Sequence, residues 1–549
     1  MKVTKRIHIG ILCLWVLLAN SAWSQQMGQW DVYKFGAKGD GKTKDTEAIQ
    51  KTIDECHKNG GGRVYLHSGT FISGTLFLRD NVILHIEMGA VLRGSEQVND
   101  YPDIASDYPT YVSDTMTSKA LIYGENLNNI GIEGRGTIDG NGDRIDKRNL
   151  NDGYLFPSFM YRPRIVHIRG SKQVQIKDVT LRNSGSWVQT YQECTGLVIA
   201  GITVDSRENE DIDQEKREYA VKHRNTDGLD LVDCERVRIS NCFINAGDDA
   251  ICLKSFAPDK KCRDIAISNC IVSSGASGIK IGTETSGTFE DITIQNCVVY
   301  DTRGEGIALM TADGARIERV IISGITLRNI KRSAIFIRLG TRNRTYGSHK
   351  VVNTPYLKDI LIENVFGTKL SALGCSITGL PNHPLENISL KNIRLTFDGG
   401  GEAFPPNHEI PEKADGYPSP TQFGPRLPAY GFFIRNGKNI SLDNIQLSFL
   451  ENDSRPAVVC HDSQQVRIHQ LLANNLINTP SLISLKNAKN VWISESQPND
   501  KIPVFVTIQG QKSKNVTLVA NNLQNSTTNV VFIDTKSTKI VSEFNNKYP

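Results

Sequence analysis

Short segments in which apolar and polar residues strictly alternate recur along most of the chain. A typical copy joins two short strands across a polar step, as in VRISNCFI at Val237 and IAISNCIV at Ile265. Strict alternation gives a strand one buried face and one exposed face. Successive copies begin 28, 27 and 28 residues apart in the middle of the chain and 25 residues apart near its end. The copies begin at Val174, Val237, Ile265, Ile292, Val320, Ile360, Ile388 and Ile440, with looser copies near Val466, Val491 and Val516.

A repeat of this length that consists of strands predicts an all-β solenoid, in which each coil of chain stacks on the coil before it. A propeller is disfavoured because its four-stranded blades need roughly 40 residues each. Many copies carry asparagine at their fifth position, which predicts a ladder of stacked side-chain amides at a bend. These asparagines are Asn241, Asn269, Asn296, Asn364, Asn392 and Asn444.

An amphipathic pattern over residues 44–53 predicts a helix that covers the open N-terminal end of the solenoid. Asp45 is the predicted N-cap, and the glycines at 60–62 are expected to end the helix. Long polar or Pro/Gly-rich insertions separate some copies and are expected to wall a binding face, although solvated decoration is an alternative for each. They cover residues 100–119, 141–163, 205–224, 341–356 and 399–430.

Residues 1–24 have the organisation of a signal peptide. Three basic residues precede an apolar run over 7–19, and Ala22 and Ser24 supply small residues for cleavage before Gln25. The apolar run is too short to span a bilayer. We therefore predict export to the periplasm or the medium, no membrane span, and one domain over residues 25–549.

Charge and cysteine content narrow the possible functions. The chain has 549 residues and a formal net charge of +4, which falls to +1 without the first 24 residues. This balance argues against a nucleic-acid partner. No CxxC pair is present, which disfavours a zinc site. We expect no cofactor and a monomer.

Six cysteines on strand patterns are expected to be small buried hydrophobes, although export permits disulfides. They are Cys194, Cys234, Cys242, Cys252, Cys270 and Cys297.

Three carboxylates are predicted to meet on neighbouring coils. The apolar alternation of residues 225–231 (NTDGLDL) matches that of residues 247–253 (GDDAICL) at an offset of 22 residues. This register places Asp227 next to Asp249, with Asp248 beside them. Like charges raise one another's pKa, so such a cluster is typical of acid–base catalysis. Glycoside hydrolysis needs one protonated and one ionised carboxyl group; a calcium site and chance clustering are the alternatives.

These segments resemble glycoside hydrolase family 28, the polygalacturonase family. The resemblance runs from Trp30 to the 440s and rests on residues 35–41 (FGAKGDG), 131–140 (GIEGRGTIDG), 225–228 (NTDG) and 247–249 (GDD). It implies a single-stranded right-handed parallel β-helix and hydrolysis with inversion. It also implies that Asp248 is the general acid and that Asp227 and Asp249 activate water.

Two motifs of that family are replaced in this chain. Ser277 stands where the family carries histidine, and Ala308-Leu309-Met310 stands where it carries the Arg-Ile-Lys triplet that grips galacturonate. These differences favour rhamnogalacturonan-type or exo-acting chemistry over random cleavage of polygalacturonate.

Other residues near the cluster are candidates for substrate binding. Lys280 is the foremost, because it lies between Ile279 and Ile281 on a strand pattern and stacks over Cys252 and Asp230. Arginine suits a sugar carboxylate because its fork pairs with both oxygens. The remaining candidates are Asn225, Lys254, Glu284, Arg338, His223 and Arg224.

The sequence therefore predicts an inverting glycoside hydrolase without a cofactor or metal. Its expected substrate is an acidic, plant-type polysaccharide or oligosaccharide that contains galacturonic acid. A polysaccharide lyase on the same solenoid, or a non-catalytic glycan-binding solenoid, are the alternatives.

Overall fold

A computed structural model describes residues 28–109, 119–145, 162–207, 225–347, 354–405, 408–534 and 540–549. The predicted signal peptide, His223, Arg224 and parts of all five insertions lie outside these residues. No helix in the described ranges is long and apolar enough to cross a bilayer.

One sheet of 15 parallel strands runs the length of the molecule, with each coil contributing one strand to it. Its strands are Leu76–Phe77, Ala120–Glu125, Arg164–Arg169, Gln189–Gln192, Leu229–Val232, Ile251–Ser255, Ile279–Thr285, Ile307–Thr311, Ile335–Leu339, Cys375–Thr378, Phe432–Arg435, Val458–His461, Ile483–Lys486, Ile502–Gln509 and Ser526–Ile533.

A second sheet of 26 strands forms the other walls of the coil. Its strands are Gly28–Asp31, Asp40–Lys44, Gly62–Leu66, Gly69–Ser73, Val82–Ile86, Ala90–Gly94, Asn128–Gly134, Thr137–Asp139, Lys172–Lys177, Thr180–Arg182, Thr195–Ala200, Thr203–Asp205, Glu235–Ser240, Phe243–Ala246, Lys261–Ser268, Ile271–Ser274, Thr288–Thr302, Arg316–Ile330, Tyr356–Leu370, Leu385–Gly399, Gly437–Glu451, Gln464–Ala473, Lys489–Ser494, Gln497–Pro498, Lys514–Val519 and Val541–Phe544.

The register between coils follows the repeat. Val237 pairs with Ile265, Ile265 with Ile292, and Ile292 with Val320. The strands are parallel and the sheets close into a right-handed β-helix, so the predicted fold class is confirmed. Apolar residues from every coil point inward and form one continuous core.

Asparagines turn the corner between the two strands of a copy. The six predicted asparagines have φ between 53° and 57°, the left-handed region that asparagine tolerates better than most residues. Asn392 Nδ2 donates to Asn364 Oδ1 at 3.0 Å, and Asn444 Nδ2 donates to Asn392 Oδ1 at 2.9 Å. The predicted amide ladder is therefore confirmed.

One α-helix, Thr46–Lys58, lies near the N-terminus and buries Ile49, Ile53 and Cys56 against the first coils. The helix ends at Lys58, just before the glycines at 60–62, as predicted. Asp45 occupies the N-cap position, but its carboxylate makes no capping hydrogen bond; it accepts from the backbone N–H groups of Lys38 and Gly39 instead. Short 3₁₀ helices span Val32–Phe35, Val98–Asp100 and Pro420–Phe423.

The ten cysteines of the described residues are free and buried. Most pack in the core, and several thiols lie against backbone carbonyls, such as Cys234 Sγ at 3.2 Å from Tyr191 O. The prediction that cysteine acts here as a small hydrophobe is confirmed. Cys252 differs from the other cysteines, because its thiol points outward and donates to Gly282 O at 2.8 Å.

Residues 408–430, called the wall segment below, are fixed to the sheet by a buried ion pair. Arg455 Nη2 lies 2.6 Å from Asp453 Oδ2, and neither side chain is exposed. Arg455 Nη1 also donates to the carbonyls of Leu427 and Ala429, at the end of the wall segment. Asp453 Oδ2 accepts a hydrogen bond from Gly401 N at 3.0 Å, which fixes the chain that leads into the wall segment.

We expect Arg455→Met to lower the free energy of unfolding by about 3–5 kcal/mol, since it leaves Asp453 buried without its counter-ion. Urea denaturation followed by circular dichroism measures the change. Arg394→Met is the matched control, because Arg394 is exposed and its loss should change stability by no more than about 0.5 kcal/mol. Equal stability of the two variants would contradict the anchoring role of Arg455.

Candidate active site

The candidate site lies on the outward face of the 15-stranded sheet, where three consecutive coils stack. Leu229 pairs with Ile251, and Cys252 pairs with Lys280, so the register predicted from the sequence is confirmed. The inward residues of these strands belong to the core. Most of their outward neighbours are polar or charged, and they are buried beneath the surrounding chain.

Lys254 lies among three carboxylates. Its Nζ is 2.9 Å from Glu284 Oε2, 3.5 Å from Asp230 Oδ1 and 3.6 Å from Asp227 Oδ2. Burial alone would lower the pKa of Lys254, but the surrounding acidic groups raise it well above its usual value. Glu284 is buried, yet Lys254 and Arg342 lower its pKa to about 2. Both groups are therefore charged, and Lys254 supplies the positive charge between the carboxylates.

Asp249 is held in its ionised form. Lys280 Nζ donates to Asp249 Oδ2 at 2.7 Å, and Ser277 N donates to Oδ1 at 2.9 Å. Burial opposes ionisation, but Lys280 and Lys254 outweigh it and lower the pKa of Asp249 below its usual value.

The pKa of Asp248 shifts in the opposite direction, although Asp248 is the residue next to Asp249. Its side chain is half-buried and accepts from Asn225 N at 3.2 Å and from Asp249 N at 3.0 Å. Burial, and then the charge of Asp249, raise the pKa of Asp248 to about 6. Adjacent residues therefore provide one ionised carboxylate and one carboxyl group that keeps its proton to higher pH.

Asp227 and Asp230 complete the cluster. Burial and the nearby charges of Asp230 and Asp248 raise the pKa of Asp227 well above its usual value, and burial raises that of Asp230 to about 7. Groups this close titrate as a set rather than singly. Asp249 is thus the ionised member, whereas the other three aspartates hold protons more readily.

Trp187 flanks the cluster from the preceding coil. Lys254 Nζ lies 4.8 Å from the centroid of the indole, and the Arg164 guanidinium lies 4.6 Å from it. The ring is almost fully buried. Trp187 therefore contacts these two cations, and it also packs with Val232, Phe256 and Tyr346.

Beyond the cluster, the outward face becomes apolar and covered. Ala308 and Met310, which replace two positions of the expected triplet, pack with Phe336 beneath Phe423 and Leu427. These last two residues belong to the wall segment. The wall segment therefore covers the sheet on the C-terminal side of the aspartates.

Arg338 lies under this cover rather than in the cluster. It pairs in register with Met310, as predicted, but its guanidinium is buried and 3.0 Å from Glu412. Glu412 also lies 3.0 Å from Arg435. The structure thus places Arg338 in an ion-pair network that anchors the wall segment.

The wall segment also reaches the edge of the cluster. Thr283 Oγ1 donates to the hydroxyl of Tyr417 at 3.0 Å, and Tyr417 is close enough to Lys280 to influence its pKa. Tyr417 is 57% exposed. Ser277, at the position of the family's histidine, donates to Glu305 Oε2 at 2.9 Å.

The structure thus brings together Asp227, Asp248, Asp249, Asn225, Lys254, Lys280 and Glu284. Two further residues of the site were not identified as functional from the sequence. Asp230 carried a signal, because strand alternation places it outward, three residues after Asp227. Tyr417 carried none, because it lies in an irregular segment far along the chain.

Comparison with known proteins places these features in a family. The model of Glycosyl hydrolases family 28 matches residues 85–411. A probable polygalacturonase of Vitis vinifera is 27% identical over 400 residues, which are 68% of this chain and 75% of that protein.

Two solved structures share the fold. An exopolygalacturonase from Thermotoga maritima superposes with a TM-score of 0.54 at 20% identity, covering 67% of this chain and 87% of that one. A polygalacturonase from Erwinia carotovora ssp. carotovora gives a TM-score of 0.51 at 23% identity, covering 64% and 90%. With a family match over more than half of its length, the chain belongs to glycosyl hydrolases family 28 and is a glycoside hydrolase.

Proposed function

We propose that this protein is an exported, monomeric, inverting hydrolase of galacturonate-containing pectic chains, with one catalytic domain over residues 25–549. The observation that carries the proposal is the contrast between two adjacent carboxyl groups. Asp249 is ionised by Lys280 at 2.7 Å, and the pKa of Asp248 is raised to about 6. An inverting hydrolase needs such a pair of base and acid.

The chemistry follows from these protonation states. Asp248 donates its proton to the glycosidic oxygen as the bond to the leaving sugar breaks. A water molecule attacks the anomeric carbon from the opposite face and gives a proton to Asp249, assisted by Asp227. Lys254 and Lys280 keep the cluster from accumulating an uncompensated negative charge, which lets a negatively charged uronate approach it.

Exo-acting cleavage is the favoured mode, because the wall segment covers the sheet immediately beyond the aspartates. Ala308 and Met310 lie under Phe423 and Leu427 and are closed to a sugar. A polymer that extends through the site in this direction would meet the wall segment. A chain end does not have to pass this cover, and the exposed Tyr417 lies at the margin of the site.

A lyase is less well supported by the contacts. Lys280 would be the nearest candidate for its base, but Asp249 and other neighbouring groups outweigh burial and raise the pKa of Lys280 well above its usual value. A lysine that retains its proton cannot abstract one from C5 of a uronate.

Product analysis against galacturonan and rhamnogalacturonan oligosaccharides tests the proposed function. We expect new reducing ends of inverted anomeric configuration, released one unit at a time, without unsaturated sugars. Asp248→Asn should lower kcat by about 10²–10⁴-fold, since it removes the acid. Asp264→Asn is the matched control, because Asp264 is exposed on the other sheet. Unsaturated products, or full activity of Asp248→Asn, would overturn the proposal.

The pH profile of kcat/KM tests the roles of the two carboxyl groups. Asp248 must be protonated, so activity should be present at low pH and lost as pH rises through about 6. Because Lys280 lowers the pKa of both Asp249 and Asp248, Lys280→Gln should move both limbs of the profile to higher pH. Lys438→Gln, at an exposed ion pair on the other sheet, should leave both limbs in place. Unchanged limbs in Lys280→Gln would refute the assignment.

The role of Tyr417 is tested by its removal. Tyr417→Ala should raise KM about 3- to 10-fold for short oligosaccharides, since an aromatic contact contributes about 0.5–1.5 kcal/mol. Tyr300→Ala removes a partly exposed tyrosine from the other sheet and should leave KM unchanged. An equal KM in the two variants would show that the sugar does not contact Tyr417.

A further inference from the structure

The last coils of the β-helix lie beyond the family match, which ends at residue 411. Trp492 stands on their outer face, in the 26-stranded sheet, with 47% of its side chain exposed. It lies in register between Arg467 and Thr517 of the neighbouring coils. The three residues line a groove of about 730 Å³. The groove is on a different sheet from the catalytic aspartates.

Hydrogen-bonding groups border this groove on both sides. Gln465, Asn490 and Asn515 line the corner of successive coils, and Asn515 Nδ2 donates to Asn490 Oδ1 at 2.8 Å. Asp443 and His469 lie on the opposite side, 4.0 Å apart. An exposed indole between rows of amides and other polar groups is suited to a sugar, which has an apolar ring face and hydroxyls at its edge.

Cations on this face differ in their partners. Some of those in earlier coils pair with glutamates of neighbouring coils, at the following distances: Arg263–Glu235 2.6 Å, Lys358–Glu318 3.0 Å and Lys438–Glu386 3.4 Å. In the last coils, Arg467, Lys489, Lys512 and Lys514 form no ion pair with any described residue. The coils around Trp492 therefore present four cations that are not neutralised by an ion pair within the described residues.

These cations are also arranged along the axis. Lys489 and Lys514 pair in register on successive coils, which stack at roughly 4.8 Å. Lys489 and Lys512 line a second groove of about 520 Å³, together with Asp462 and the paired Glu412 and Arg435. Lys489 and Asn490 are adjacent in sequence and line one groove each, so the two grooves adjoin. Their repeated charges suit a polymer that carries carboxylates at regular intervals.

We propose that the last coils form a non-catalytic binding site for an anionic polysaccharide. Trp492 stacks on a sugar ring, Arg467 and Lys489 pair with carboxylates, and the amides bind hydroxyls. The choice of a pectic chain as the ligand rests on the function proposed above. Binding of a second stretch of polymer here raises the local concentration of chain ends at the aspartates.

Affinity electrophoresis in gels containing polygalacturonate tests the site, with galactan as the neutral polymer. In an Asp248→Asn background, which prevents hydrolysis, we expect polygalacturonate but not galactan to retard the protein. Digalacturonate added to fill the catalytic site should not abolish the retardation. Trp492→Ala and the double variant Lys489→Gln/Lys512→Gln should each weaken binding at least 5-fold.

Phe366→Ala is the matched control, since Phe366 is an aromatic residue of the same sheet that is 55% exposed, away from the grooves. It should bind like the parent protein. With Asp248 restored, Trp492→Ala should hydrolyse short oligogalacturonides at the rate of the wild type.

Three results would overturn the proposal. One is equal retardation of Trp492→Ala and the parent. Another is that Trp492→Ala loses hydrolysis of short oligogalacturonides to the same extent as it loses polymer binding. The third is a dimer, detected by sedimentation, that Trp492→Ala dissociates, since the face would then be covered by a second copy. Retardation that depends on Trp492, in a protein without pectic hydrolysis, would support this site and reject the proposed function.

Discussion

In-register stacking of parallel coils is the constraint on which the rest of this structure depends. A strand of one coil finds partners for its backbone N–H and C=O groups only in the coils on either side, so every coil must place its strands at the same positions. Side chains at equivalent positions then form columns along the axis. A residue's chemical surroundings are therefore set by the residues one coil away. Asp249 meets Lys280 because Ile251 pairs with Ile279.

The same constraint explains how a buried acidic cluster is tolerated. Desolvation of a carboxylate is costly unless opposite charge and hydrogen bonds offset it. Lys254 and Lys280 approach the cluster from adjacent coils, so each carboxylate has a cation or a backbone donor within reach. The lysines offset the desolvation of some carboxylates more than that of others, so the pKa values of Asp248 and Asp249 differ. Lys280 bonds directly to Asp249, whereas the described residues contact Asp248 through backbone donors alone. Acid–base chemistry requires this inequality.

Insertions can enter such a fold only where strands end. One of them, the wall segment, packs back onto the sheet. The wall segment is held by Arg455, by the pairs of Glu412 with Arg338 and Arg435, and by apolar packing on Met310. The loss of the expected cationic triplet is thereby explained. Its positions are the surface on which the wall segment packs. In the proposed function, substrate access is determined by this segment, which is distant in sequence from the carboxylates.

The sequence by itself determined the repeat, the asparagine corners, the stacking of Asp227 beside Asp249, and the position of Lys280 over Cys252. All of these depend on strand alternation and on a near-constant spacing between coils, and both are local properties of the chain. The path of the wall segment, the burial of Arg338 and the approach of Tyr417 to Thr283 were decided only by tertiary structure. These contacts join residues about 70 to 135 positions apart through irregular chain, for which no periodicity specifies a register. The difference in pKa between Asp248 and Asp249 was also decided by tertiary structure. It depends on which side chain Lys280 reaches and on how deeply each carboxyl group is buried.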